Sequence, residues 1–155
     1  MRSGRTDGRG FGARFWLASG TVVASVATAG SLWFSLGLGL VPCELCWYQR
    51  ILMYPLVVVL GVATVETRPT VWRTVVPLSV LGAFLAGYHS ILQMTTNSCT
   101  FAGPCAVIQW RLPILGLTIP NLSLVAFILV TIAALGSSGV VPSWSENDLE
   151  FDDSS

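Results

Sequence analysis

Four long apolar runs separated by short polar breaks set the pattern of this chain. The first is free of charge over residues 15–43. The second covers about 47–65 and carries one charge, Arg50, near its start. A polar link at 66–73 follows, with Glu66, Arg68, Pro69 and Arg73 marking a turn outside the hydrocarbon. The third run covers about 74–94 and places Pro77 in its first turn, where a proline is tolerated. A polar stretch at 95–118 contains an apolar piece, 112–117, too short to span. The fourth run, about 120–135, opens on Pro120, which suits a helix start, and closes at Gly136-Ser137-Ser138-Gly139. A membrane helix needs about 20 apolar residues. The first run far exceeds the roughly 7–15 residues of a signal-peptide core and is read as a retained helix. The pattern predicts an all-α integral membrane four-helix bundle over 15–136. An Arg/Gly-rich leader without regular structure (1–14) precedes it, and an acidic, disordered tail (137–155) follows.

Composition agrees. Of the 155 residues 53% are hydrophobic and only 10% charged, against about 25% charged in a soluble domain. The mean hydropathy is +0.70. All eight basic residues are arginine, so no lysine contributes to topology. Four spans put both termini and the 66–73 link on one side, with Arg2, Arg5, Arg9, Arg14, Arg68 and Arg73. The other side holds Arg111, plus Arg50 at a helix mouth. Arginine is enriched in cytoplasmic loops and acidic residues contribute little, so the termini are expected in the cytoplasm and the tail (Glu146, Asp148, Glu150, Asp152, Asp153) does not alter this. All four cysteines then face the extracytoplasmic side of the cell membrane, where disulfides persist. No basic face interleaved with aromatics exists, which excludes nucleic-acid binding.

The candidate chemistry is that of thiols. Cys43-Glu44-Leu45-Cys46-Trp47-Tyr48-Gln49-Arg50 puts a Cys-x-x-Cys at the mouth of the second helix. Cys46 and Arg50, at i and i+4, share a face, and a cation beside a thiol favours the reactive thiolate. Cys43, Cys46, Trp47 and Arg50 form one stripe. An arginine inside a membrane helix is rare and marks function, although its long stem also lets it snorkel to the interface. His89, the single histidine, shares a face with Gln93 and lies near the same end of its helix as Arg50 does of the second. It can hydrogen-bond a carbonyl oxygen. Cys99 and Cys105 complete the set, and four cysteines allow three connectivities. A zinc site is disfavoured: five residues separate the second pair, and no metal is expected. With no nucleotide or haem motif, a lipid-soluble quinone is the electron acceptor that fits, its carbonyls met by Arg50 or His89. Static structural disulfides are the non-enzymatic alternative.

These motifs resemble the DsbB/BdbC family of disulfide-bond-formation membrane proteins. The matching residues are Pro42 to Arg50, then Gly87-Tyr88-His89-Ser90-Ile91-Leu92-Gln93, then Cys99-Thr100-Phe101-Ala102-Gly103-Pro104-Cys105, on four spans in the same order. The short Cys99–Cys105 spacing is closer to the BdbC branch. The resemblance implies a thiol oxidase. A thioredoxin-fold partner of the DsbA/BdbD kind attacks a Cys99–Cys105 disulfide through Cys99. Cys105 passes the electrons to a Cys43–Cys46 pair, and Cys46 faces ubiquinone or menaquinone beside Arg50, His89 and Trp47. A quinone reductase of the vitamin K epoxide reductase type is the alternative within enzymes, but there the motif lies on the last helix.

Overall fold

The computed structural model describes residues 7–95, 108 and 116–138, with side chains from Gly12 to Met94, at 108 and from 116 onward. Cys99, Cys105, Arg111 and residues 139–155 of the expected tail lie outside the described residues. Within them the chain forms four helices: α1 (Asp7–Leu32), α2 (Glu44–Glu66), α3 (Trp72–Thr95) and α4 (Ile119–Ser137). A π-helical turn, Trp33–Gly37, extends α1, and a 3₁₀ turn, Pro69–Val71, leads into α3. All four helices are long and apolar enough to cross a bilayer. Even α4, the shortest at 19 residues, measures roughly 28 Å at 1.5 Å per residue, close to the thickness of a hydrocarbon core. The predicted four-helix bundle is therefore present.

The helix ends depart from the hydropathy boundaries in an instructive way. α1 begins at Asp7, inside the segment expected to lack regular structure, because adding residues to an established helix avoids the cost of nucleation even across helix-weakening glycines. α3 begins at Trp72, so Pro77 lies in its second turn rather than its first. There it removes one backbone hydrogen bond to the carbonyl of Arg73. Pro55 sits deeper still, within α2. Membrane helices tolerate such prolines because neighbouring groups satisfy the freed carbonyl. Thr67 ends α2 in a left-handed conformation (φ 54°), and its N–H bonds the Ala63 carbonyl. The next residue, Arg68, pairs with Glu66 at 3.0 Å on the exposed link.

Each helix packs on its chain neighbours, and α4 closes the ring against α1, which leaves α2 and α4 on a diagonal. Leu17, Leu56, Leu60, Val75, Phe127 and Val130 are fully buried on the bundle axis. The outward faces are just as apolar: Val26, Val58, Val65 and Phe84 are mostly exposed. In lipid, apolar side chains gain nothing by turning inward, so association depends on close packing and interhelical hydrogen bonds. Both are in place. Thr21 Oγ1 and Thr64 Oγ1 lie 3.0 Å apart between α1 and α2. Thr131 donates to Ser79 Oγ at 2.8 Å between α4 and α3. Gly82 lets the buried Phe127 ring lie against the α3 backbone, where a Cβ would fall inside the ring's van der Waals surface.

Substituting Gly82→Ala forces Phe127 or the α3–α4 spacing to yield and is expected to destabilise the bundle by about 1–3 kcal/mol. Gly87→Ala, on the same helix with nothing within 4 Å of the new Cβ, is the control and loses no stability. Unfolding midpoints in mixed micelles would compare them. Equal midpoints for the two variants would contradict the close approach.

Candidate active site

The site is built at the end of the bundle where α1 and α3 finish and α2 and α4 begin. Cys43 is the N-cap of α2, with extended backbone (φ −75°, ψ 172°), and its carbonyl accepts the first helical hydrogen bond, from Trp47 N–H at 3.1 Å. Pro42 disfavours helical backbone at Val41, the residue before it, so the chain does not extend a helix into the motif. Cys46 follows one turn later. The two sulfurs lie 3.3 Å apart, with the Cys43 S–H directed at Cys46 Sγ. They sit at the positive end of the α2 dipole, where negative charge is favoured and acidic Glu44 occupies the first turn. Cys43 is buried and Cys46 half-buried.

Across from them, His89 of α3 is only 2% exposed. Its Nε2 lies 3.8 Å from Cys43 Sγ, and its Nδ1 lies 3.2 Å from Gln49 Nε2. An amide nitrogen only donates. In the tautomer whose Nδ1 accepts from that nitrogen, Nε2–H faces the Cys43 sulfur. Gln49 therefore sets which face of the imidazole meets the thiol. Gln49 lies inside the Cys43–Arg50 motif, although thiol chemistry alone does not point to it. Its signal was its place at i+3 from Cys46, on the same helix face.

Arg50 is held by α1 and not by the sulfurs. Its Nε donates to Ser31 Oγ at 2.8 Å, one Nη donates to the Ser31 carbonyl at 2.9 Å, and the same nitrogen donates to Ser35 Oγ. Two serines at i and i+4 in an uncharged run, Ser31 and Ser35, are the sequence signal for this anchor. The π-helical turn at Trp33–Gly37 begins between them. Such widened turns occur mostly as single insertions and often at functional sites. Trp47 supports the guanidinium from the other side, 5.5 Å from ring centroid to Cζ.

A cavity of about 80 Å³ opens between these groups, well above the ~10–15 Å³ that one water needs. Cys43, Cys46, Gln49, Arg50 and His89 line it, with Phe34, Met53, Tyr54 and Phe127 as its apolar wall. Thr28 and Gln93 line it too, and Thr28 Oγ1 and Gln93 Oε1 are buried without a hydrogen-bond partner among the described residues. Of the residues predicted from sequence, the structure brings Cys43, Cys46, Arg50 and His89 together. It leaves Trp47 out of the cavity wall, with its ring half exposed on the outer face. Cys99 and Cys105 fall in the stretch outside the described residues.

Comparison with known proteins gives the family. The family model described as "Disulfide bond formation protein DsbB" matches residues 13–136. The chain is 43% identical over 125 residues to "Disulfide bond formation protein C" of Bacillus subtilis, covering 76% of this chain and 88% of that one. It is 39% identical over 121 residues to a "Probable disulfide formation protein" of Oceanobacillus iheyensis (74% and 82% covered). It is 36% identical over 116 residues to a protein of the same description from Metapseudomonas resinovorans (72% and 81%). No solved structure matches. The sulfur pair, the four spans and these matches agree on a multi-pass membrane oxidoreductase of disulfide bond formation, and the chain belongs to the DsbB family.

Proposed function

We propose that the protein is a membrane thiol oxidase that takes two electrons from a thioredoxin-fold protein outside the cytoplasm and delivers them to a membrane quinone. One observation carries this reading: the two sulfurs open onto a cavity that also holds a guanidinium and two buried polar atoms with no hydrogen-bond partner among the described residues. A quinone head group suits that donor set. Arg50 and Thr28 would donate to its carbonyl oxygens, and the Gln93 amide oxygen would accept from its hydroxylated form. When bound there, it supplies an acceptor for two electrons and two protons.

The chain's own groups define the rest. Oxidation of the Cys43–Cys46 dithiol forms one S–S bond and releases two protons and two electrons. The sulfurs already sit 3.3 Å apart, so closing the bond needs little backbone motion. The imidazole N–H directed at Cys43 sulfur stabilises negative charge on the thiol that must attack or leave. Arg50, anchored by Ser31 and Ser35, keeps a fixed positive charge on the cavity wall. In this reading Cys99 and Cys105 receive the client's electrons and pass them inward, with Cys99 making the mixed disulfide. Trp47 takes part through Arg50, as the platform beneath the guanidinium. The arginine distribution supports an extracytoplasmic location for the sulfurs.

Three outcomes follow. The purified protein, supplied with a reduced thioredoxin-fold client and a quinone analogue, should bleach the quinone absorbance, and Cys43→Ser or Cys46→Ser should abolish turnover. A wild-type chain that passes no electrons to any quinone overturns the reading. Charge-assisted hydrogen bonds are each worth about 1.5–3 kcal/mol. Loss of the Arg50 anchor in a Ser31→Ala/Ser35→Ala double variant should therefore raise KM for quinone about ten- to a hundredfold and leave KM for the client unchanged. A membrane-impermeant maleimide applied to intact cells should label the reduced cysteines from outside; labelling only after lysis places them on the other side.

A further inference from the structure

We propose that reduced Cys43 and Cys46, with His89, form a redox-gated binding site for zinc. The ligand atoms of these three residues all lie within 4.8 Å of one another, and none of the three is exposed. In a tetrahedral site with Zn–S near 2.3 Å and Zn–N near 2.0–2.1 Å, neighbouring sulfurs stand about 3.8 Å apart and sulfur stands about 3.6 Å from nitrogen. The observed separations are 3.3 Å between the sulfurs and 3.8 Å from Cys43 Sγ to His89 Nε2. The sulfurs must open by about half an ångström and Cys43 Sγ and Nε2 must close by about 0.2 Å, while the ring must also settle at about 3.6 Å from Cys46 Sγ, which lies within 4.8 Å of it. Two thiolates and one imidazole leave the fourth position to a water from the adjoining cavity.

Gln49 makes the imidazole competent for either role. Zinc needs the Nε2 lone pair, so the ring proton must move to Nδ1. A half-turn of the Gln49 amide then presents its oxygen to Nδ1–H, where the nitrogen stood 3.2 Å away. Binding releases two protons, one from each thiol, and moves no electrons. Oxidation to the disulfide removes both thiolates as ligands, so only the reduced protein binds. The bound ion in turn occupies both sulfurs and withholds them from exchange. Zinc and oxidation thus compete for one pair of atoms, and the site stands whether or not a quinone is the acceptor.

The test uses the full chain in detergent with Cys99→Ser and Cys105→Ser, reduced and handled without oxygen, and Co²⁺ as the coloured probe for zinc. One Co²⁺ per chain should bind, with a thiolate-to-cobalt charge-transfer band and the strong visible bands of four-coordinate cobalt, and Zn²⁺ should bleach both. The oxidised protein and the Cys46→Ser variant should give neither band. Gln49→Leu should weaken binding about 10–100-fold without altering the spectrum. His89→Cys should keep the ion and strengthen the charge-transfer band, with helicity by circular dichroism unchanged. The proposal is overturned if the reduced protein gives no band, if the oxidised protein gives the same band, or if the spectrum of His89→Cys matches that of the parent.

Discussion

A polar group inside a bilayer has no water to turn to, so it must be satisfied by another helix. That constraint arranges this bundle. Towards one end, pairs of hydroxyls tie α1 to α2 and α3 to α4, at Thr21–Thr64 and Ser79–Thr131. Such ties average about 0.6 kcal/mol each in membranes, enough to fix register without rigidity. At the other end the groups are stronger. Arg50 binds α2 to the close of α1, and Gln49 binds α2 to His89 of α3. Two polar connections from adjacent positions of one helix, running to opposite neighbours, hold the cavity open between them. The site residues are therefore also the clasp of the bundle's end.

The π-helical turn belongs to the same clasp. An ordinary α-helix directs the Ser31 carbonyl at an amide four residues on. Here that carbonyl accepts from the Arg50 guanidinium, and the widened turn through Trp33–Gly37 starts where it does so. A charge entering the membrane edge has recruited a backbone acceptor in addition to two hydroxyls. Helical irregularity at membrane depth is tolerated where it is buried in protein or lines a cavity, and Ser31 and Ser35 line this one.

The spans were legible because hydropathy averages over about 20 residues and is insensitive to single side chains. The same averaging hid what matters at the site. Ser31 and Ser35 barely perturb an apolar run, yet they decide where Arg50 goes. The i, i+4 rule linked Arg50 with Cys46 on one face, and they do share the cavity wall. It could not reveal that the guanidinium's hydrogen bonds cross to α1. Trp47 illustrates the coarseness of a stripe. At about 100° per residue, Cys46, Gln49, Arg50 and Met53 centre on one direction, and Trp47 lies about 100° away from it. That angle turns its ring towards the outer face, although its sequence spacing from Cys43 and Arg50 looked favourable. His89 was found by position, but the Gln49 contact that orients it needed three dimensions, because forty residues separate the two.

The Cys-x-x-Cys is placed at a helix start for reasons that go beyond reactivity. At an N-cap the backbone is still extended, so Cys43 can approach from the loop while Cys46 is fixed on the first turn. This brings the sulfurs together at the mouth of the cavity without bending the helix. The geometry carries an unavoidable consequence. Two thiols close enough to join, beside an imidazole close enough to stabilise their charge, are also close enough to share a soft cation. Shielding cannot remove that possibility without also excluding the redox partner. The disulfide itself is what withdraws the ligands, so under the proposed function reoxidation also protects the site from the cation.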